Sequence, residues 1–269
     1  MIKIYNSVLE VSSQYKGFIL DIWGVLHSSG VPFEGVLNNL TELKKQGKKV
    51  ILLSNAPRRA SSVEAFLATS PKINKGEHYD DILTSGELFY LETKDNFKNK
   101  SVIYIGSERD LPLMQNLGVN LVESGGEVAI ITGFMPNVDD ILHKILQNKT
   151  PLYCVNPDIF IKKQDGSMEE CAGFLAEKYK KMGGEVIYFG KPYLPIYSKV
   201  MDFFENIEKE DILAIGDGME TDILGANNFG ITNALCLAGL PSFELSKGIL
   251  LEDYISQFPS KPNFFIKSL

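Results

Sequence analysis

Residues 17 to 24 read Gly-Phe-Ile-Leu-Asp-Ile-Trp-Gly, and this stretch decides the fold. The apolar run from Phe18 ends in the carboxylate of Asp21, which predicts a short buried strand with a reactive group at its carboxyl end. In an open parallel sheet, ligands bind in the crevice beyond the carboxyl ends of the strands. Trp23, the only tryptophan of the chain, follows two residues later. Asp21 is therefore the first candidate for a functional residue.

The composition is that of a globular protein with an acidic balance. The chain has 269 residues and a formal net charge of −7, and it contains no long basic run. We therefore expect no nucleic-acid surface and no surface for anionic membranes. No apolar stretch approaches the ~20 residues of a membrane span. The first residues lack the pattern of a signal peptide, so a cytoplasmic location is expected.

Three widely spaced cysteines, Cys154, Cys171 and Cys236, fit neither a disulfide framework nor the spacing of metal ligands. They are expected to be buried or neutral thiols in a reducing compartment.

The amino-terminal part alternates strand and helix patterns. A short helix is expected over Ile4–Tyr15, and strands are expected at Phe18–Leu20 and Lys49–Leu53. The helical pattern of Gly35–Gln46 lies between these strands, and Pro57 is expected to open the next helix. This βαβα order predicts a parallel sheet with right-handed crossovers.

The rest of the chain repeats this alternation twice. Strands are expected at 101–105, 128–131, 152–155, 185–189, 212–215 and 231–237, with a helix over 169–182. We expect an α/β fold in which a Rossmann-like parallel sheet forms the core, and a smaller α/β cap domain is inserted into it. The predicted core domain comprises residues 1–80 and 185–269, and the predicted cap comprises residues 81–184.

A polar side chain follows each of four predicted strands. The four side chains are those of Asp21, Ser54, Lys191 and Asp217, and Asp222 comes five residues after Asp217. If all the strands belong to one parallel sheet, these groups meet at one edge. Two carboxylates suit a hard cation such as Mg²⁺, and a hydroxyl with an ammonium suits a phosphate dianion. Backbone amides near Gly24 and Asn55 add donors for the phosphate.

Four sequence motifs in order resemble the haloacid dehalogenase-like (HAD) superfamily, specifically its subfamily IIA of NagD-type phosphatases. The motifs are Asp21-Ile-Trp-Gly-Val-Leu, Leu52-Leu-Ser-Asn-Ala-Pro-Arg58, Gly190-Lys-Pro192 and Gly216-Asp-Gly-Met-Glu-Thr-Asp222. The resemblance extends from about Gly17 to Gly239, and the Asp-x-Trp-Gly pattern is similar to that of a subgroup of the subfamily.

The resemblance implies a role for each matching residue. Asp21 would be the nucleophile that forms an aspartyl-phosphate. Asp21, the backbone carbonyl of Trp23 and Asp217 would hold Mg²⁺, with Asp222 and Gly24 in support. Ser54, Asn55 and Lys191 would bind the phosphate.

Trp23 departs from the family pattern, which has a second aspartate at that position. That aspartate protonates the leaving group and then deprotonates the attacking water, and such help is worth roughly 10²–10⁴-fold in rate. An indole N–H has no usable pKa for either task. Slow turnover, or a preference for a good leaving group, is therefore expected.

Four other residues have two readings each. His27 lies near Asp21 and could replace the missing acid, or it could be ordinary loop surface. Asn156 and Asp158 could act as a hinge or face the substrate, or they could simply form a turn. Arg58 could contact the phosphate or the cap domain, or it could have neither role.

The sequence thus predicts a Mg²⁺-dependent phosphohydrolase for a small phosphorylated metabolite. The rival hypotheses are a phosphate- or metabolite-binding protein that has lost catalysis, and a phosphotransferase. A homodimer through the cap is also expected from the resemblance.

Overall fold

The computed structural model describes residues 3–163 and 165–269. The strands are, in chain order, β1 (Ile4–Tyr5), β2 (Gly17–Leu20), β3 (His27–Ser28), β4 (Val31–Pro32), β5 (Lys49–Ser54), β6 (Asp81–Thr84), β7 (Ser101–Ile105), β8 (Asn120–Leu121), β9 (Val128–Ile131), β10 (Leu152–Cys154), β11 (Phe160–Lys162), β12 (Met168–Glu170), β13 (Val186–Tyr188), β14 (Ile212–Gly216), β15 (Thr232–Cys236) and β16 (Phe264–Ile266).

The helices are α1 (Val36–Lys45), α2 (Ala60–Thr69), α3 (Ser85–Phe97), α4 (Pro112–Leu117), α5 (Val138–Gln147), α6 (Ala172–Lys181), α7 (Leu194–Val200), α8 (Leu224–Phe229), α9 (Leu240–Ser246) and α10 (Leu251–Ser256). Among the described residues, no helix combines the length and the apolar character that a membrane crossing requires.

Two parallel sheets confirm the predicted α/β class. The larger sheet has the strand order β1-β16-β15-β14-β2-β5-β6, and the smaller has the order β13-β10-β9-β7-β8. All pairs within both sheets are parallel. Strand β2 lies inside the larger sheet, between β14 and β5.

The burial of β2 explains why its sequence is apolar throughout. Phe18 and Leu20 pack into the core on one face of the sheet, and Ile19 packs into the core on the other. A strand covered on both faces needs a continuous apolar run rather than an alternating one. The pattern of Gly17–Leu20 is therefore that of a central parallel strand.

Helix α1 follows its predicted bounds closely. Val36, Leu40 and Leu43 form its buried face. Gly47, which was expected to stop it, has a φ of 70°, a left-handed conformation that glycine adopts without strain.

Three predicted elements differ from the structure. Residues 4–15 form the edge strand β1 and two 3₁₀ turns instead of a helix. The helix expected over 169–182 begins only at Ala172, because Met168–Glu170 pairs as β12 with β11. Strand β13 was expected in the larger sheet, but it pairs with β10 in the smaller one.

Strands β6 and β13 also bear on the predicted domain limits. Asp81–Thr84 extends the larger sheet beside β5, and Val186–Tyr188 forms an edge of the smaller sheet. The division into a core of 1–80 and 185–269 and a cap of 81–184 remains a prediction. Within that division, β6 falls in the predicted cap although it pairs with the larger sheet, and β13 falls in the predicted core although it pairs with the smaller sheet. The three cysteines are free and buried, as expected.

Candidate active site

The strand register brings three of the predicted site residues to one edge of the larger sheet. Leu20 pairs with Ile215 on one side and with Leu52 on the other, and the amide of Asp21 donates to the carbonyl of Ile215 at 2.9 Å. Asp21, Ser54 and Asp217 therefore leave three neighbouring strands, β2, β5 and β14, at nearly the same level.

Lys191 reaches this edge by a different route from the one expected. It follows β13 of the smaller sheet, and a loop carries it to the larger sheet. There its backbone N–H donates to Asn55 Oδ1 at 2.7 Å, and Asn55 Nδ2 donates back to the Lys191 carbonyl at 3.0 Å. Asn55 thus fixes the position of the lysine backbone.

The Lys191 ammonium lies between two carboxylates. Its Nζ donates to Asp21 Oδ1 at 2.5 Å, to Asp222 Oδ1 at 2.7 Å and to the Leu53 carbonyl at 3.1 Å. Burial lowers the pKa of Lys191, but the two carboxylates raise it by more, so its pKa stands well above the ordinary value. Lys191 is therefore a permanent cation at the centre of the site.

Asp222 is fixed from several sides. Its Oδ2 accepts from the Gly218 amide at 3.1 Å, and its backbone carbonyl accepts from the Tyr197 hydroxyl at 3.2 Å. It lies in a π-helical turn, Met219–Ile223, that leads directly into α8. Such turns are frequent at functional sites. Both carboxylate oxygens of Asp222 are thus engaged by protein donors.

Asp217 packs against two glycines. A Cβ at either Gly24 or Gly239 would lie 2.0 Å from Asp217 Oδ2, so neither position has room for a side chain. The same Oδ2 accepts from the Leu240 amide at 2.7 Å. Gly24, with a φ of 86°, also needs the left-handed conformation. Gly24 therefore supports the site by allowing the carboxylate to approach the backbone.

Asp21, Asp217 and Asp222 form a cluster that fits a divalent cation. One oxygen of each lies within 4.8 Å of the others, and opposite ligands of an octahedral Mg²⁺ ion are about 4.2 Å apart. Asp21 Oδ2 and Asp217 Oδ1 accept no hydrogen bond from the residues that the structure describes. These two oxygens are therefore free to act as ligands.

The electrostatics of the cluster also favour a cation. Burial, opposed by the charge of Lys191 and assisted by the neighbouring carboxylate of Asp222, raises the pKa of Asp21 to about 7. Burial and the carboxylate of Asp21 raise the pKa of Asp217 well above its ordinary value. A divalent cation would relieve this repulsion, since one lysine cannot balance three carboxylates.

Ser54 lies at the entrance to the same pocket. Its side chain is buried, and its Oγ accepts from the Ala56 amide at 3.2 Å. The hydroxyl proton is thus left for another acceptor, as a phosphate-binding role requires.

Trp23 connects the site to a hairpin formed by β11 and β12. Its Nε1 donates to the Lys162 carbonyl at 2.8 Å. The indole also makes an edge-to-face contact with His27, at 5.6 Å between ring centroids. The Trp23 side chain is therefore part of the wall above Asp21.

His27 is enclosed rather than exposed. It is 2% exposed, its Nε2 has no hydrogen-bond partner among the described residues, and Phe66 covers it from the other side. Burial, with the charge of Arg58, lowers its pKa to about 4. The structure thus contradicts the expectation of a loop-surface residue, and neutral His27 is a poor substitute for the missing acid.

Two adjoining cavities, which share part of their lining, lie above the sheet edge. The smaller, about 40 Å³, is lined by Asp21, Asp217, Asp222 and Lys191. The larger, about 1220 Å³, lies between the two sheets and includes Arg58, Asn156 and Phe134 in its walls. The smaller volume has room for a phosphoryl group, and the larger has room for a metabolite.

The residues predicted to hold the metal and the phosphate line the smaller cavity, and Gly24 lies beside it against Asp217, although their roles remain predictions. The sequence analysis missed the groups behind them. Leu53 and Tyr197 position the lysine and Asp222, and Leu240 with Gly239 holds Asp217. The carbonyl of Lys162 as a partner of Trp23 was also missed, since no local pattern pairs residues so distant in the chain.

The geometry defines the class of protein, an α/β enzyme scaffold with a phosphoryl-transfer pocket. The comparison with known families agrees. A model described as haloacid dehalogenase-like hydrolase matches residues 18–120, and a second HAD-hydrolase-like model matches residues 188–269. Together they cover more than half of the chain. The protein belongs to the HAD-like hydrolases, on the NagD-like phosphatase branch.

Similar proteins are found over the full length of the chain. Ribonucleotide monophosphatase NagD of Escherichia coli K12 is 21% identical over 259 residues, covering 94% of this chain and 96% of its own. Chronophin of Rattus norvegicus is 22% identical over 275 residues, with 97% and 87% covered.

Solved structures with a similar fold are also found. A haloacid dehalogenase-like hydrolase from Brucella suis has a TM-score of 0.85 at 25% identity, covering 98% of this chain and 99% of its own. A 4-nitrophenylphosphatase from Thermotoga maritima has a TM-score of 0.76 at 21% identity, with 96% of each chain covered.

Proposed function

We propose that this protein is a Mg²⁺-dependent phosphohydrolase that acts on a small phosphorylated metabolite through an aspartyl-phosphate on Asp21. One observation carries the proposal: a buried carboxylate oxygen of Asp21 faces a phosphate-sized pocket, beside a lysine and a second aspartate, below a metabolite-sized cavity. The names of the phosphatase relatives support the same chemistry.

Asp21, the Trp23 carbonyl and Asp217 would hold Mg²⁺, with Asp222 in support. When bound, the ion supplies charge neutralisation, which a carboxylate nucleophile needs in order to approach a phosphate dianion. Lys191 shares that task, because its ammonium contacts Asp21 and faces the pocket. Ser54 Oγ and loop amides at Asn55 orient the phosphoryl oxygens.

The carboxylate of Asp21 attacks phosphorus through one of its oxygens, and the bond from phosphorus to the leaving oxygen breaks. Water then attacks the phosphorus of the aspartyl-phosphate and releases inorganic phosphate with free Asp21. Trp23 can move no proton in either step. If no other group replaces the missing aspartate, turnover is slow and favours a good leaving group such as nitrophenolate.

Two rivals make different predictions. A metabolite-binding protein would bind Mg²⁺ and phosphate without turnover, and a phosphotransferase would need an acceptor other than water. Both would retain the pocket, so only a rate measurement separates them from the hydrolase.

The test is steady-state hydrolysis of p-nitrophenyl phosphate with Mg²⁺. We expect turnover in the wild type and a loss of at least 10³-fold in Asp21→Asn, which keeps the shape of the side chain but removes the nucleophile. Asp202→Asn, a change of an exposed aspartate paired with Lys199, is the control and should be as active as the wild type. Wild-type activity that survives in Asp21→Asn, or no activity at all, would overturn the proposal.

We further infer that the protein acts in the cytoplasm on a free metabolite, without nucleic-acid or membrane partners, and forms a homodimer through the cap. The acidic net charge of −7 and the lack of a basic run support the first part. Sedimentation of the purified chain would test the second.

A further inference from the structure

One carboxyl group stands where the two cavities meet. Five residues line both of them: Trp23, Ser54, Asp158, Phe160 and Ile161. Among these five, Asp158 alone has a side chain that titrates. In the proposed reaction the scissile bond must cross this boundary, with phosphorus in the smaller cavity and the leaving group in the larger.

Asp158 is held firmly in that position. Its Oδ1 accepts from Asn55 Nδ2 at 2.8 Å, and its backbone amide donates to Asn156 Oδ1 at 3.2 Å. Its carbonyl accepts from the Gly173 amide at the start of α6, at 3.1 Å. A Cβ at Gly173 would lie 2.6 Å from that carbonyl, so the helix and the turn fit together only with glycine.

The second oxygen of Asp158 is uncommitted. Within the ranges that the structure covers, Oδ2 makes no hydrogen bond to protein, while Oδ1 is anchored by Asn55. Asn55 also fixes Lys191, so one side chain sets the distance between the carboxyl group and the phosphate-binding lysine. A general acid needs this combination of an anchored group and a free oxygen that faces the reacting atoms.

We propose that Asp158, a residue inserted between the second and third motifs, is the general acid and base of the reaction and takes over the task that Trp23 cannot perform. The proposal rests on the proposed function and adds a catalytic residue to it.

The proton balance is simple. As Asp21 attacks phosphorus and the ester bond breaks, the Asp158 carboxyl gives its proton to the leaving oxygen, which departs as an alcohol. The Asp158 carboxylate then takes a proton from water while the water oxygen attacks the aspartyl-phosphate. The bond between phosphorus and Asp21 breaks, phosphate leaves, and Asp158 is again protonated.

The surroundings of Asp158 favour this cycle. Burial in the cleft raises its pKa, and the nearby carboxylate of Asp222 acts in the same direction, whereas Lys191 and the bond from Asn55 lower it. The net shift is upward, toward the range in which a carboxyl can carry a proton at neutral pH. The other acidic groups and the histidine at the large cavity are less suitable, because His27, Asp110, Glu169 and Glu170 do not line the smaller cavity. In addition, His27 is enclosed, Asp110 is paired with Arg109, and Glu169 is paired with Lys163.

The experiment compares two esters in Asp158→Asn, a change that preserves the oxygen that accepts from Asn55. With propyl phosphate, whose alkoxide leaves poorly without a proton, turnover should fall by about 10²–10⁴-fold with no burst. With p-nitrophenyl phosphate, the first step needs no acid, but the second still needs the base. A burst approaching one nitrophenolate per active site should therefore precede a slow steady state.

The control is Asp139→Asn, a change of an exposed aspartate on α5 that is paired with Lys178 of α6, and this variant should behave as the wild type. If Asp158→Asn behaves as the wild type, or loses activity equally on both esters without a burst, the role of Asp158 is overturned while the proposed function stands. A wild type whose activity on both esters does not depend on Asp21 would overturn the proposed function, and the role of Asp158 with it.

Discussion

At the scale of single residues, the site is a balance of buried charges. The Lys191 ammonium contacts the carboxylates of Asp21 and Asp222, and the remaining carboxylates, Asp158 and Asp217, line the same pocket. Burying a charge is costly unless it is paired. The pocket thus carries an excess of negative charge that a cation would reduce, which is the physical reason to expect Mg²⁺.

Burial has a different effect on His27, whose ring packs between Trp23 and Phe66. There burial favours the neutral form of the ring. Its pKa is about 4 in the folded protein and 6.5 in the unfolded chain. As pH falls below 6.5, the unfolded state binds a proton that the folded state does not, so folding loses stability through this residue.

The difference in unfolding free energy between wild type and His27→Phe should therefore change with pH. Between pH 7.5 and pH 5.5, the wild type should lose about 1 kcal/mol more than the variant, measured by urea unfolding at each pH. His143→Gln, a change of an exposed histidine on α5, controls for the loss of a histidine as such. An unchanged difference would show that His27 protonates in the folded state.

At the scale of elements, a hairpin links the two sheets above the site. Trp23 Nε1 donates to the carbonyl of Lys162 in β11, and Lys162 Nζ donates to Ser242 Oγ in α9 at 2.5 Å. Phe160 in the same strand also packs on Phe174 of α6. Trp23 thus links the loop after β2 to the hairpin.

Trp23→Phe should loosen the hairpin while it keeps the aromatic wall. The lost hydrogen bond should speed amide exchange across residues 160–170 by several-fold and raise KM, with little effect on kcat, since the variant keeps the backbone carbonyl. Exchange across β7 is the internal control. Ser242→Ala should act in the same direction through the other bond. Equal protection of the hairpin in wild type and Trp23→Phe would contradict this role.

Elements also show where sequence reasoning succeeds. Asp21, Ser54 and Asp217 could be brought together in advance, because buried apolar runs identify β2, β5 and β14, and parallel strands end at one edge. Strand β13 has the same apolar pattern but pairs with β10, because the pattern of a buried strand does not say to which sheet it belongs. Lys191 therefore reaches the predicted pocket by a route that its sequence pattern did not indicate, and its phosphate-binding role remains a prediction.

The short elements were the ones missed. Residues 4–5 form an edge strand whose pairing with β16 is made by residues 265–266, beyond the reach of any local pattern. Met168–Glu170 is exposed and pairs only with β11, so it has neither helical nor alternating periodicity. Asp158 was interpreted either as a hinge or substrate-facing residue or as a turn residue, because only the folded chain places it between two cavities.

At the scale of the whole molecule, the proposed Mg²⁺ would link the stability of the fold to the site. The carboxylates of Asp21 and Asp217 come together because β2 and β14 are paired. An ion that binds the folded chain and not the unfolded chain stabilises it by about 2.7 kcal/mol when its concentration is 100 times the Kd. Metal binding should therefore be visible without any substrate.

Mg²⁺ at millimolar concentration should raise the Tm of the wild type by several degrees. Asp217→Asn should lose most of this increase, because it replaces a ligand carboxylate with a neutral amide. Asp202→Asn should retain it. The measurement is a thermal melt followed by circular dichroism with increasing Mg²⁺, and an equal increase in Asp217→Asn would place the ion elsewhere.

The central claim, that Asp21 is the nucleophile, can be tested by trapping the intermediate. Enzyme is mixed with p-nitrophenyl phosphate and Mg²⁺, quenched in acid and treated with borohydride, which reduces an acyl phosphate to an alcohol; peptide mass spectrometry then locates the reduced residue. We expect reduction at position 21, with a higher yield in Asp158→Asn. Turnover with no reduction at position 21, or with reduction at another carboxylate, would contradict it.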